Sequence, residues 1–184
     1  MAKIMKVIAL FSVLNTMFCA VLYMNTEHDL AFTSMITFGT ISYHFIMRLL
    51  TGFVINFFLD NHVDYRARWF QVSAIEQKLY NKLKVKKWKG KMPTYDPGCF
   101  DRNIHSWDEI AQAMCQAELV HEIIIILSFV PIFASIPFGA LAVFVITSVL
   151  AACFDAVFVI MQRYNRPRII KLMKSSERSK NVRH

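Results

Sequence analysis

The sequence predicts an all-α integral membrane protein with about four transmembrane helices and cytoplasmic interfacial amphipathic helices, in a single membrane domain over residues 1–184. Three observations predict it. Of the 184 residues 55% are hydrophobic, with 16 Phe and only 5 Gly, which is more apolar than an ordinary soluble domain. The apolar residues gather into four long runs. The 21 Lys and Arg, which leave a formal net charge of +8, lie almost entirely outside those runs.

The spans are read at about 4–24, 30–59, 113–133 and 138–161. A spanning helix needs roughly 20 apolar residues. The first, second and fourth runs meet that length. The third reaches it only if Ala113–Ala117 extends it or the loop at Pro131–Pro137 dips into the lipid. The first run is expected to stay in the chain as a span, since no small-residue cleavage site followed by a soluble domain comes after it.

Charge placement sets the expected topology. Lys3 and Lys6 stand at the start of the first run, and the link after it holds Glu27 and Asp29 but no Lys or Arg. The segment 60–112 carries Lys and Arg from Arg66 to Arg102, the link between the third and fourth runs carries none, and the tail 162–184 is again basic. The positive-inside rule then gives a multi-pass protein of the cell membrane with both termini, the 60–112 segment and the tail in the cytoplasm. Cys19 and Cys153 lie inside runs, and Cys99 and Cys115 face a reducing compartment, so no disulfide framework is expected.

In the cytoplasmic segment, Trp69, Val72, Ile75, Leu79 and Leu83 recur at helical spacing with Arg66, Arg68, Lys78 and Lys82 between them. That predicts one basic amphipathic helix over Val63–Val85, lying on the inner leaflet. Gly90 and Pro93 end the helical pattern, and "YDPGCFDRN" reads as loop. Ser106 and Glu109 form a capping box for a helix that runs through Glu118 and His121 into the membrane. In the tail, Asn165 as N-cap and Pro167 in a first turn predict a bend, where the span stops and an interfacial helix begins.

Three polar clusters can carry chemistry. Glu118, His121 and Glu122 share one helix face, where a carboxylate one turn from a histidine can fix its tautomer and raise its basicity; wet-entrance residues neutralising nearby lysines would look the same. His44 and Arg48 lie one turn apart inside the second run, with Arg48 about 18 Å of helix before Asp60. An unpaired arginine at that depth costs at least ~2.5 kcal/mol. Arg48 is therefore expected to pair with Asp155, the one charge in the fourth run, while a substrate contact for it stays open. Arg163, Arg166 and Arg168, with Tyr164 and Asn165, can hold phosphate or carboxylate, or can serve only as a topology signal.

Other classes are excluded by missing residues. There is no His-x-x-x-x-Asp acyltransferase motif, no Gly-x-Ser-x-Gly, no phosphate-cradling glycine loop, no histidine-rich di-iron set and no Cys/His zinc set. No metal, bound cofactor or nucleic-acid partner is expected.

The stretch "QAELVHEIIIILSFVPIF", followed by the string Gln162-Arg163-Tyr164-Asn165-Arg166-Pro167-Arg168, resembles the glycosyl-4,4′-diaponeurosporenoate acyltransferase family, small integral membrane proteins of staphyloxanthin-type carotenoid synthesis. "WFQVSAIEQKLYNKLKVKKWKGKMP", with its Lys87-Trp88-Lys89 element, extends the resemblance to about residues 65–172. It implies fatty acyl transfer from an activated donor, such as an acyl-CoA co-substrate, to a hydroxyl of a glycolipid or glycosylated isoprenoid at the cytoplasmic face. His121 would be the general base, oriented by Glu118. Arg163, Arg166 and Arg168, with Lys87 and Lys89, would hold the donor phosphates. Tyr164 and Asn165 would polarise the thioester carbonyl. Membrane lipids, the amphipathic donor and the glycolipid acceptor would be the partners, with an oligomer or a partner membrane protein left open. The alternative is a non-enzymatic membrane subunit or scaffold that binds anionic lipid or a partner complex.

Overall fold

A computed structural model of the protein describes residues 2–93 and 97–181. Tyr95 and Asp96 of the expected loop, and residues 182–184 of the tail, lie outside the described residues. Among the described residues there is no strand. Seven α-helices follow one another: α1 (Ala2–Thr26), α2 (Asp29–Leu59), α3 (Ala74–Lys82), α4 (Val85–Trp88), α5 (Trp107–Leu127), α6 (Ser135–Phe138) and α7 (Leu141–Asn181). Short 3-10 turns stand at Arg68–Phe70, Lys89–Lys91, Pro97–Phe100 and Val130–Ala134. Four stretches, Ala2–Thr26, Asp29–Leu59, Trp107–Phe138 and Leu141–Ser176, are long and apolar enough to cross a membrane. That is the architecture of a multi-pass membrane protein. The short third run reaches spanning length because its helix already begins at Trp107.

The chain divides into two compact units, Met1–Phe53 with Ile123–Phe154, and Val54–Glu122 with Asp155–His184. The first unit is what lipid-exposed helices lead one to expect. Ile4, Val7, Leu10, Phe11, Leu14 and Phe18 of α1 all point outward. Hydroxyls in this apolar setting satisfy themselves on their own helix: Thr16 Oγ1 donates to the Ser12 carbonyl, Thr40 to Ile36 and Ser42 to Phe38, each at 2.8 Å. α1 passes α2 near Gly39, where a Cβ would make an ordinary contact with the Thr16 methyl at 3.6 Å. Tyr43 Oη donates to the Leu127 carbonyl at 2.9 Å. Arg48 Nη1 donates to the carbonyl of His44, one turn earlier, at 3.0 Å.

The second unit holds a core of Val63, Tyr65, Phe70, Ala111 and Cys115, against which Leu59, Leu119, Ile169, Ile170 and Met173 pack. α2 ends where Asp60 and Asn61 turn left-handed, at φ 42° and 59°, a conformation that short polar side chains tolerate. Gln116 of α5 secures that end. Its Oε1 accepts from the Asn61 N–H at 2.7 Å, and its Nε2 donates to Asn56 Oδ1 at 3.1 Å. α5 itself starts on the expected capping box, with the Ser106 N–H donating to Glu109 Oε2 at 2.6 Å and the Glu109 N–H to Ser106 Oγ at 3.2 Å.

Two expectations are corrected here. Val63–Val85 is not one helix: the chain turns at Arg68–Phe70, is extended at Gln71 and Ser73, and re-enters a helix only at Ala74. A second capping box starts α3. Ser73 Oγ accepts from the Glu76 N–H at 3.2 Å, and Glu76 Oε2 accepts from the Ser73 N–H at 2.8 Å. Ile75, Leu79 and Leu83 still form an exposed apolar row. The expected bend at Asn165–Pro167 is also absent, because α7 runs through it with Pro167 inside. An internal proline costs about 3 kcal/mol. Here it is offset because tertiary contacts hold the helix on both sides: Arg163 and Arg166 through ion pairs, and Ile169, Ile170 and Met173 against the core.

Replacing Ser73 by Ala removes the α3 cap and is expected to lower stability by about 1 kcal/mol. Thermal unfolding in detergent measures the loss, and hydrogen exchange should speed up at the Glu76 amide while α5 stays protected. Unchanged exchange at Glu76 would contradict the cap.

Candidate active site

His121 and Asp155 form a hydrogen-bonded pair between two helices. His121 stands on α5 and Asp155 on α7, with His121 Nδ1 2.9 Å from Asp155 Oδ1. Phe158, one turn after Asp155, stacks on the imidazole with ring centres 4.6 Å apart and planes only 8° from parallel. Asp155 is 1% exposed and His121 23%. A buried carboxylate accepting from Nδ1–H fixes the tautomer that leaves the Nε2 lone pair to take a proton. The stacked phenyl ring restrains the imidazole plane. A histidine held on one nitrogen, restrained on one face and still partly open is the arrangement a general base needs.

Glu118, expected to orient His121, does something else. It is wholly buried and accepts from two arginines of α7: Arg163 Nη1 donates to Oε1 at 2.6 Å, and Arg166 Nη1 donates to Oε2. Arg163 also pairs through Nε with Glu76 Oε1 of α3 at 2.9 Å. The four charges form a chain, Glu76–Arg163–Glu118–Arg166, with two of each sign. The remaining guanidinium donors take backbone carbonyls from the turn before α3. Arg163 reaches Trp69 at 3.1 Å and Gln71 at 3.2 Å, and Arg166 reaches Phe70. Three successive carbonyls are thereby drawn to α7 instead of to a helix of their own, which is why the expected helix breaks there. Burial acts to raise the Glu76 carboxyl. The Ser73 N–H and the Arg163 guanidinium outweigh it and hold the group at about 2, against an ordinary 4.5.

The other basic residues assemble around Tyr164. Arg168 Nη2 donates to the Tyr164 hydroxyl at 2.5 Å, and its Cζ lies 4.1 Å from the ring centre. Lys89 Nζ lies 5.2 Å from the same ring and donates to Asn165 Oδ1. Tyr80 closes the far edge, with ring centres 6.4 Å apart. Partial burial and the like charges of Arg168 and Lys86 pull the Lys89 ammonium below its usual range. Two cations gathered at one tyrosine ring, repelling each other, would be relieved by an anion.

The residues singled out from sequence thus separate into groups. Arg163, Arg166 and Glu118 are occupied with one another, and Arg166 is 1% exposed. Glu118 is thus placed with Arg163 and Arg166, and the partner of His121 is Asp155. Arg168, Tyr164, Asn165 and Lys89 stand together. Lys87 is exposed on α4. Arg48 belongs to the first unit, with His44. Asp155 meets His121. Sequence reasoning missed that role for Asp155, although an acid inside an apolar run was already a signal that a polar partner must face it. Phe158, Glu76 and Trp69 were missed as well. Trp69 Nε1 donates to Glu122 Oε2 at 2.8 Å, next to His121. Among the described residues no group of His, Cys, Asp and Glu could hold a metal ion.

The sequence pattern that defines the glycosyl-4,4′-diaponeurosporenoate acyltransferase family matches residues 66–175. That stretch includes every residue of the His121–Asp155 pair, the four-charge chain and the Tyr164 cluster. Neither a curated protein nor a solved structure matches the chain.

Glu118→Gln leaves the buried Arg166 guanidinium without its counter-charge and Arg163 with Glu76 alone, and is expected to destabilise the protein by about 3–5 kcal/mol. Thermal unfolding in detergent reads the loss, and limited proteolysis should then cut within residues 68–73. Acid should act through Glu76. Its folded-state value lies below the unfolded one, so its contribution is complete above pH 4.5 and is lost as pH falls toward about 2. In Glu76→Gln, stability should be lower at neutral pH and should fall less between pH 4.5 and 2, as followed by unfolding midpoints across that range.

Proposed function

The chain belongs to the glycosyl-4,4′-diaponeurosporenoate acyltransferase family, and from that premise we propose that it transfers a fatty acyl group from an activated donor to a hydroxyl of a glycolipid or glycosylated isoprenoid, at the cytoplasmic face of the cell membrane. The observation that carries this reading is the His121–Asp155 pair. Acyl transfer to an alcohol needs a base, because a neutral hydroxyl is a poor nucleophile. His121 Nε2 takes the proton of the acceptor hydroxyl as the oxygen attacks the thioester carbonyl. Asp155 holds Nδ1–H and stabilises the imidazolium that forms. The tetrahedral intermediate then collapses, the C–S bond breaks, and the imidazolium returns its proton to the leaving thiolate. One ester and one thiol replace one alcohol and one thioester.

The Tyr164 cluster is the donor-binding half of this reading. Arg168 and Lys89 take the donor phosphates, with Lys87 near the rim. The Tyr164 hydroxyl and the Asn165 amide, whose oxygens already accept from Arg168 and Lys89, keep their own N–H and O–H groups to donate toward the donor. Along α7, Asp155 lies about 14 Å from Tyr164 and about 20 Å from Arg168 at the usual helical rise. That spacing suits a donor whose thioester and phosphates are joined by a long arm. The arm of an acyl-CoA, roughly five peptide-length units, reaches about 18 Å. Arg163, Arg166 and Glu118 support the site by fixing the 68–71 turn and α7, without touching substrate.

His121→Ala is expected to abolish transfer while leaving the thermal unfolding midpoint nearly unchanged. Asp155→Asn should lower turnover by about 10²–10⁴-fold, the usual worth of a general base. Arg168→Ala should raise the donor KM by about tenfold and make it less dependent on salt. Mass spectrometry of lipids from expressing cells, and transfer assays in nanodiscs, measure all three. Full activity in His121→Ala rules the mechanism out.

A further inference from the structure

Trp69 is an exposed aromatic residue with unusually little freedom. The indole is 65% exposed, yet its Nε1 is tied to Glu122 Oε2 at 2.8 Å. Its carbonyl accepts from Arg163 Nη1 at 3.1 Å. The next residue, Phe70, is buried at 6%, and its carbonyl accepts from Arg166. The ring is thus fixed at its edge and its backbone is clasped by two arginines, while its surface stays open. An indole that served only to sit among lipid headgroups would gain nothing from having its N–H committed to a carboxylate, since water and headgroups satisfy that donor there. Glu122 directly follows His121 in α5, and its Oε1 makes no hydrogen bond among the described residues.

We propose that Trp69 and Glu122 form the sugar-binding subsite for the acceptor, with the open indole face stacking on the pyranose ring and Glu122 Oε1 accepting from its hydroxyls. A pyranose has one face rich in C–H groups and a rim of hydroxyls. The first matches an aromatic surface held rigid, and the second matches a carboxylate beside it. A rigid platform loses little entropy on binding, so its contribution to affinity is largely kept. The arrangement also selects. A bare long-chain alcohol offers the same reacting hydroxyl to His121 but nothing to the indole, so glycosylated acceptors are preferred.

This subsite rests on the proposed acceptor class, but it can be read without any transfer. Binding of radiolabelled dodecyl glucoside and of radiolabelled dodecanol is measured on the full-length protein in nanodiscs. In Trp69→Leu, glucoside affinity should fall at least tenfold while dodecanol binding stays within about twofold. Trp69→Phe, which keeps a ring, should retain most of the glucoside affinity. Glu122→Gln, which keeps an acceptor for the indole but loses the charge, should weaken glucoside binding several-fold. Equal loss for both ligands would make Trp69 a lipid-level anchor and overturn the proposal. So would unchanged glucoside binding in Trp69→Leu. Glucoside binding that requires Trp69 in a protein without acyl transfer would instead leave the subsite standing and remove the transfer reading.

Discussion

A fully buried carboxylate shared by two arginines organises the second unit. Glu118 on α5 cannot be left without counter-charge at that depth, because an isolated ion in a low-dielectric interior is strained by many kcal/mol. Arg163 and Arg166, one turn apart on α7, supply the charge. Each carries more donors than Glu118 can accept. The surplus goes to the carbonyls of Trp69, Phe70 and Gln71 and to Glu76 of α3. One ion cluster therefore ties α5, α7, the turn at 68–70 and the first turn of α3. The proline inside α7 and the broken helix before α3 both follow from it. Replacing such a cluster with apolar residues could give equal stability, since ion pairs in an interior gain little over what desolvation takes. What apolar side chains cannot do is hold three particular carbonyls in place, and that specificity is the use of the cluster here.

That fixed scaffold lets the two remaining polar groups be less constrained. The His121–Asp155 pair uses one acid and one base, with the acid almost inaccessible and the base partly open. The Tyr164 cluster uses two cations and no acid among its described contacts. The cations that are neutralised are buried and structural. The cations at the Tyr164 ring have no carboxylate among their described contacts and would gain from an anion. Sorting basic residues by whether they already own a carboxylate separates scaffold from site in a region where composition alone treats all of them alike.

The chain's class, its spanning segments and the start of α5 were legible in the sequence, because they depend on quantities that accumulate locally. Twenty apolar residues in a row need no partner to declare themselves, and Ser106 with Glu109 is a complete device within four residues. The Ser73–Glu76 box was written just as plainly, but a longer amphipathic period running through it favoured one continuous helix. The family's string from Gln162 to Arg168 was also legible, yet its residues were all read as one basic patch.

Pairing could not be read in this way. Glu118 lies three residues from His121 and forty-five from Arg163, and nearness along a helix suggested the wrong partner. Asp155 was recognised as an acid that must be paired, but nothing along the chain pointed to His121, 34 residues away. That the two meet depends on how α5 and α7 pack, and a chain of letters carries no record of that packing. Local hydrogen bonding and hydrophobic length are short-range properties of consecutive residues, so the sequence contains them outright. The choice among several charged partners is a long-range competition between desolvation and geometry. Only the folded arrangement of α5, α7 and the 68–71 turn settles that competition.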